Sequence, residues 1–575
     1  DPKGYLYLDR FRLEGTTPVW TYSLANALLE KRVWMQPGAN TTYIQYQLIR
    51  ATGALTLEAR AFVNYRDYHQ TTIVNDWYPD VEFVENGLQL CMFDGAVPFY
   101  LLSDKAIITP QFDWYEDFFL SVEDYRGQND VEEDHIYAAH IRYTLQPGES
   151  LILVASTEAA PNLDGDAAYA VRRAYEQSLL DQAGEFAAAA PEPIRQLVLA
   201  ADQFVVKRPT ARDSNGRSII AGYHWFSDWG RDTMVALSGL TLTTGRPDVA
   251  ASILRTYAQF IDMGMIPNRF PDVGRKPEYN TVDATLWYIE AARNYYDLTG
   301  DRQLLSELFP VFKEILKWYE RGTRYNIHMD LTDALIYAGE AGIQLTWMDA
   351  KIGDWVVTDR IGKPVEINAL WYNALRVMAE FARQLGEPSG QYDALADRVR
   401  AGFGRFWNHR MGYCYDILDG PDGNDLSLRP NQILAISLPH SPLAPQQQRS
   451  AVDACARHLL TPHGLRSLSP DDAVYIGHYG GDQLERDSAY HQGTVWAWLI
   501  GPFVSAHLRV YQDPVQARSY LYPLLRSLAD HGIGSLSEIF DGDPPFTPRG
   551  CIAQAWSVAE VLRAWQETED VKRKT

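Results

Sequence analysis

Cysteine is scarce in this chain. Four occur in 575 residues (Cys91, Cys414, Cys455 and Cys551), and no two form a Cys-x-x-Cys pair. That spacing argues against a disulfide framework and against a zinc site, and it fits a reducing compartment. Positive charge is also in deficit: 52 Lys and Arg stand against 74 Asp and Glu, a formal net charge of −22. Such a surface repels phosphate backbones and anionic headgroups, so neither nucleic acid nor a membrane is an expected partner. An uncharged polymer is not repelled. No apolar run reaches the roughly 18 residues that a membrane-spanning helix needs, and no secretory signal opens the sequence. A cytoplasmic protein is therefore expected. Also missing are His-Glu-x-x-His, the P-loop, the Rossmann glycine fingerprint and the Gly-x-Ser-x-Gly elbow. Nothing asks for a metal or another cofactor. Oligomeric state leaves no signal in the sequence.

What is present is a chain too long for one ordinary core, with a change of pattern near residue 165. Before it, period-two alternation dominates. Residues 42–49 and 55–63 read as strands around a turn at Thr52-Gly53-Ala54, and 141–145 and 150–154 flank a second hairpin signal, Gln146-Pro147-Gly148-Glu149. Short strands separated by turn residues suggest an antiparallel β-sandwich over residues 1–165. Residues 166–191 read as an Ala-rich helical linker ending at Pro191. From 192 to 575 helical periodicity takes over, clearest at 192–207, 231–244, 247–261, 281–299, 301–321, 366–385, 390–407, 447–460, 491–511, 514–531 and 551–567. Gly300-Asp301 marks a sharp stop and restart. Short turns alternate with long loops at 208–230, 262–280, 322–365, 461–490 and 532–550. This alternation predicts an (α/α)6 barrel rather than an irregular bundle, with the long loops gathered at one mouth, where chemistry is expected.

Those loops carry the unusual residues. Tyr223-His224-Trp225-Phe226-Ser227-Asp228-Trp229-Gly230-Arg231-Asp232 packs two indoles, a guanidinium and two carboxylates into ten residues at a helix start. Sugars call for this mixture, since their C–H faces stack on indole and their hydroxyls bond Arg and Asp. The plainer reading is a helix start with Asp228 or Asp232 as a cap. In Gln344-Leu345-Thr346-Trp347-Met348-Asp349-Ala350-Lys351, an acid stands among large apolar neighbours, which raise a carboxyl pKa toward general-acid use. A lone loop Asp is otherwise a turn residue. Ser535-Leu536-Ser537-Glu538-Ile539 offers a second carboxylate, whose default is a solvated loop Glu. Two carboxylates are the minimum for glycoside hydrolysis. Asp283, Glu366, His491, Gln492 and Trp496 also stand at expected helix starts facing the mouth, and each has a buried, hydrogen-bonding alternative.

Taken in order, Ser227-Asp228-Trp229-Gly230-Arg231-Asp232, Thr346-Trp347-Met348-Asp349-Ala350, Val365-Glu366-Ile367-Asn368-Ala369-Leu370-Trp371-Tyr372 and Ser537-Glu538-Ile539-Phe540-Asp541-Gly542 resemble the amylo-α-1,6-glucosidase domain of bacterial and archaeal glycogen debranching enzymes. The resemblance covers about residues 195–570 and extends more loosely to the β-rich part. It implies a β-sandwich packed on a catalytic (α/α)6 barrel, and hydrolysis of the α-1,6-linked glucose stub of trimmed glycogen or limit dextrin. It implies that Asp349 is the general acid and Glu538 the general base. Trp229, Arg231 and Asp232 would clamp the terminal glucose, with Asp228, Trp225, Asp283, Trp347, Lys351, Glu366, His491, Gln492 and Trp496 as further substrate-binding candidates. Related bacterial chains carry sequence ahead of the part matching Asp1, so a sandwich lacking its first strands is expected. No counterpart of the eukaryotic glucanotransferase barrel lies within the 575 residues. Another enzyme would therefore have to shorten the branches first.

We expect inversion: Asp349 protonates the glycosidic oxygen and Glu538 deprotonates a water on the opposite ring face, across a gap of about 6.5–9.5 Å. The nearest alternative is an exo-α-glucosidase of the same barrel class acting on α-1,4 oligosaccharides or trehalose. A non-catalytic glycan-binding protein is the alternative from another class.

Overall fold

The computed structural model describes residues 3–126, 128, 130–270 and 276–574. The chain divides into two compact units, Asp1–Asp181 and Gln182–Thr575. An antiparallel, sheet-rich N-terminal part precedes a helical C-terminal part.

The first unit holds strands β1 (Leu8–Glu14), β2 (Thr17–Leu24), β3 (Ala27–Met35), β4 (Thr41–Arg50), β5 (Leu55–Val63), β6 (Asp80–Val84), β7 (Gly87–Cys91), β8 (Phe99–Leu102), β9 (Ile107–Phe119), β10 (Glu132–Leu145) and β11 (Ser150–Ser156). One sheet runs β1-β2-β3-β4-β11-β8-β7-β6, and the other β5-β10-β9. The alternation detected in sequence is present, but both expected hairpins are corrected. β4 pairs with β11, opposing Ile44 to Leu153, and β5 pairs with β10, opposing Leu57 to Tyr143. Each connection thus carries the chain from one sheet to the other. The reason is burial. Leu48, Leu151 and Leu153 of the larger sheet share a core with Ile141 and Leu145 of the smaller, and pairing β4 with β5 would put these faces in one layer. Truncating a fully buried member such as Leu145 to Ala costs about 2–5 kcal/mol.

In the second unit, six helical segments form a closed succession of neighbours: Gly230–Leu237, Ala284–Thr299, Val365–Leu385, Leu434–Ser437, Ile500–Tyr511 and Ala555–Lys574, the last packing back on the first. Among the others, Arg302–Arg321 lies against both Ala284–Thr299 and Val365–Leu385, and Gly390–Phe403 lies against Val365–Leu385. Punctuation is local. Gly300 adopts φ +63° to close the Ala284–Thr299 helix, and the Asp301 side chain then accepts from the backbone N–H groups of Gln303 and Leu304, both at 3.0 Å.

Several expected helices differ. The stretch 192–207 is helical only to Gln203, and Val205–Lys207 is a strand. Residues 491–499 do not extend the helix that starts at Ile500. Val495–Trp496 is instead a strand in a small sheet with Leu460–Thr461, Gly464–Arg466, Ile539–Phe540 and Pro548–Arg549. The stretch 514–531 is two short helices, Pro514–Ser519 and Tyr522–Ser527, because Pro523 lacks the N–H a continuous helix would need. The final helix starts at Ala555 and runs to Lys574. The segment Leu434–Ser437 was not anticipated, since four residues are too few to display a period. Among the described residues, no helix is long and apolar enough to cross a membrane.

Candidate active site

Hydrogen bonds tie together the starts of three of these helices, Gly230–Leu237, Ala284–Thr299 and Ala555–Lys574. Trp229 is the N-cap position of Gly230–Leu237, and its side chain makes no cap bond. The expectation that Asp228 or Asp232 might simply cap this helix does not describe the structure. Arg231, in the first turn, is 3% exposed. Its Nε donates to Asp283 Oδ2 at 2.8 Å, at the start of Ala284–Thr299. Its Nη1 donates to Asp349 Oδ2 at 2.9 Å. The third nitrogen, Nη2, is buried and has no hydrogen-bonding partner among the described residues. Asp283 is held further by Thr281 Oγ1 at 2.7 Å, and the Leu345 carbonyl accepts from the Val282 N–H at 2.8 Å, anchoring the loop that carries Asp349. Asp232 accepts at Oδ1 from Gln554 Nε2 at 3.2 Å, immediately before the last helix.

The electrostatics follow from this crowding. Asp349 keeps 27% side-chain exposure. Burial raises its pKa, and the Arg231 charge and hydrogen bond offset only part of that. Asp232 is pushed up to about 8, chiefly by burial, with Arg231 opposing and the Asp349 and Glu538 charges adding. Helix N-termini supply partial positive charge to this acidic group.

Glu538 is 3% exposed and directly precedes the Ile539–Phe540 strand. Its Oε1 accepts from the Tyr490 hydroxyl, and its Oε2 from the Cys551 backbone N–H at 2.8 Å. Gly550 sits at φ +62°, and a Cβ there would collide with Glu538 Oε2. Glu538 and Asp349 both act on the same two groups, Asp232 and Tyr490.

Beneath lies an aromatic floor. Trp347 meets His491, Trp496 and Trp498 edge-on at centroid separations of 5.5, 5.2 and 5.6 Å, and its Nε1 donates to Asn431 Oδ1 at 2.7 Å. His491 stacks on Trp496 at 5.0 Å. All three expected residues, Trp347, His491 and Trp496, are buried. Burial, then the Arg429 and Arg231 charges, hold His491 well below its usual pKa, so it is neutral.

The other candidates take separate places. Glu366 is buried in a bidentate pair with Arg360, which also binds Asp416 Oδ2 at 2.9 Å. Burial raises its pKa. Gln492 accepts at Oε1 from Arg429 Nη2 at 2.8 Å. Asp228 is buried against Arg208, and burial raises its pKa. The half-buried Trp229 lies under Arg269, 5.5 Å from the ring. Trp225 contacts His224. Lys351 begins a two-stranded ribbon with Trp355–Val356. Sequence reasoning missed Gln554, Asn431, Arg360, Asp416 and Arg429, and it noted Tyr490 only as part of a segment. Gln554, Arg429 and Asn431 lie just before helical segments, whereas Arg360 and Asp416 lie in loop and strand connections with no local signal.

The arrangement offers two carboxyl groups in different settings around shared neighbours. Residues 199–563 match the family model described as amylo-α-1,6-glucosidase, and residues 1–152 match the glycogen debranching enzyme N-terminal model. The glycogen debranching enzyme of Saccharomyces cerevisiae is 25% identical over 469 residues, covering 62% of this chain and 30% of the yeast protein. The chain thus spans under a third of the length of that relative.

Proposed function

We propose, from the premise that the chain belongs to the amylo-α-1,6-glucosidase family of glycoside hydrolases, that it removes single α-1,6-linked glucose residues from branch points of glycogen or limit dextrin, with inversion. Asp349 is the acid. Burial raises its pKa in the direction a general acid needs, and the Arg231 bond to Oδ2 leaves Oδ1 to carry the proton. As that proton passes to the glycosidic oxygen, the C–O bond breaks and the branch-point hydroxyl leaves. Glu538 is the base. It takes a proton from a water whose oxygen bonds to the anomeric carbon from the opposite face, giving β-glucose. Arg231 Nη2 has hydrogen-bonding capacity for a sugar hydroxyl, and the half-buried Trp229 offers an indole face.

One observation carries this reading: Asp349 and Glu538 act electrostatically on the same pair of groups, Asp232 and Tyr490, which supports two carboxyls at one site. The closed succession of ring helices supports an (α/α)6 barrel from about residue 192. The shared core of the two sheets supports a β-sandwich to about residue 165, with 166–191 as the helical connection. Four free cysteines are consistent with a reducing, cytoplasmic setting.

The test is glucose release from a branched limit dextrin compared with isomaltose, maltose and trehalose. Preference for the branched substrate is expected. Preference for maltose or trehalose would move the assignment to another specificity of the same chemistry, and binding without any glucose release would reject catalysis.

A further inference from the structure

Glu538 ends a flexible side chain, yet both its oxygens are committed, and by two unrelated parts of the chain. One oxygen accepts from the Tyr490 hydroxyl and the other from the Cys551 N–H at 2.8 Å. The second contact depends on Gly550, whose missing side chain lets the backbone approach Glu538. The first depends on a phenol that cannot wander. The Tyr490 ring is wedged against His491, Trp496 and Tyr479 at 4.7, 4.9 and 5.6 Å. Its carbonyl accepts from Trp496 Nε1 at 3.0 Å and from Thr494 Oγ1. The hydroxyl is therefore delivered to a fixed point.

We propose that Tyr490 is a positioning residue for Glu538: its hydroxyl and the Cys551 N–H grip one oxygen each and fix the rotamer in which the carboxylate meets the attacking water. This rests on reading Glu538 as the base. A carboxylate oxygen has two lone pairs, so the grip leaves capacity for the water's proton. Donors to a carboxylate also favour its charged form, which a base requires. Tyr490 stays protonated, because burial and then the Glu538 charge push its own pKa far above the usual value. The charged or titratable groups facing the pair are Asp232, with Arg231 beside it, Asp349, Tyr479, His491 and the Cys551 thiol.

The test uses the full chain and three variants: Tyr490→Phe, Tyr490→His and Glu538→Gln. Phe keeps the ring packing and removes the donor. Its kcat should fall about 10- to 100-fold, the kinetic equivalent of one hydrogen bond to a charged group, with KM little changed. The acid limb of the kcat/KM profile should move to higher pH, a shift that mere loosening of packing would not give. The His variant, whose imidazole N–H still donates, should keep more activity than Phe. A Phe variant with wild-type rate and pH profile, or equal Phe and His activities, would overturn the proposal while leaving the base assignment standing, provided Glu538→Gln is inactive. Near-normal turnover by Glu538→Gln would instead remove the base assignment, and the role of Tyr490 with it.

Discussion

Arg231→Met is the most informative perturbation of stability. The guanidinium is 3% exposed and bonds Asp283, 2% exposed at its side chain, and Asp349. Removing one partner of a buried ion pair costs about 3–5 kcal/mol, because the stranded carboxylates must stay charged without compensation or take up protons. Asp232, at about 8 even with Arg231 beside it, shows how far burial here favours the protonated form. The pH dependence follows. In the variant, Asp349 and Asp232, both already raised by burial, lose the opposing Arg231 charge, so their folded pKa values rise further above the unfolded ones. Stability from such a group is fully present below the unfolded pKa, near 4, and is lost as pH rises toward the folded one. The deficit relative to wild type should therefore be small at pH 5 and large at pH 8. With roughly 1–2 °C per kcal/mol for a unit of this size, by extension of the usual scaling, the variant should melt about 3–10 °C lower at pH 8 and less than half that at pH 5. Differential scanning calorimetry of the whole chain, following the transition of the helical unit, measures this. Equal deficits at both pH values, or none, would show that Arg231 does not compensate these acids.

Asp349→Asn and Glu538→Gln should stay folded and lose at least about 1000-fold in glucose release, since each removes a proton-transfer group. Gly550→Ala should place a Cβ against Glu538 Oε2 at a positive φ. A turnover loss of at least about tenfold is expected, with a lower melting temperature, and a fully active Gly550→Ala protein would contradict the close approach. Lys363 is 1% exposed at its side chain and lies 2.8–2.9 Å from Asp330, Asp333 and Asp419, so Lys363→Met should cost about 2–3 kcal/mol at pH 7, below the fully buried figure because Asp330 and Asp419 are a third or more exposed. Hydrogen bonding to Lys363 holds Asp330 below its usual range, and bonding to Arg405 and Lys363 does the same for Asp419. That stability is present above pH 4 and lost as pH falls, so the wild-type advantage in urea midpoint should shrink toward pH 3.

The parts of the molecule that sequence revealed were those with a local cause. Alternation marked β4, β5, β10 and β11 because one face of each is buried, but strand partners are a tertiary choice, so the hairpin reading of Gln146-Pro147-Gly148-Glu149 failed. Arg231, Asp283 and Asp349 could be singled out because charged groups stood among indoles or at helix starts, and Glu538 because the ordered motifs of the family resemblance include it. Gln554 could not, since its contact with Asp232 spans 322 residues and exists only when the last helix packs on the first. Asn431 and Arg429 escaped because the adjoining Leu434–Ser437 helix is one turn long. Asp416 and Arg360 form a buried pair whose partners lie 56 positions apart, and no local pattern announces such a pair.

The central claim is that Asp349 and Glu538 face one sugar from opposite sides with a water between the base and the anomeric carbon. Proton NMR of glucose freshly released from a branched limit dextrin tests it directly. β-Glucose appearing first, before mutarotation, is the result expected of this geometry. α-Glucose appearing first would require a covalent glycosyl intermediate, and the roles assigned to both carboxylates would then be wrong.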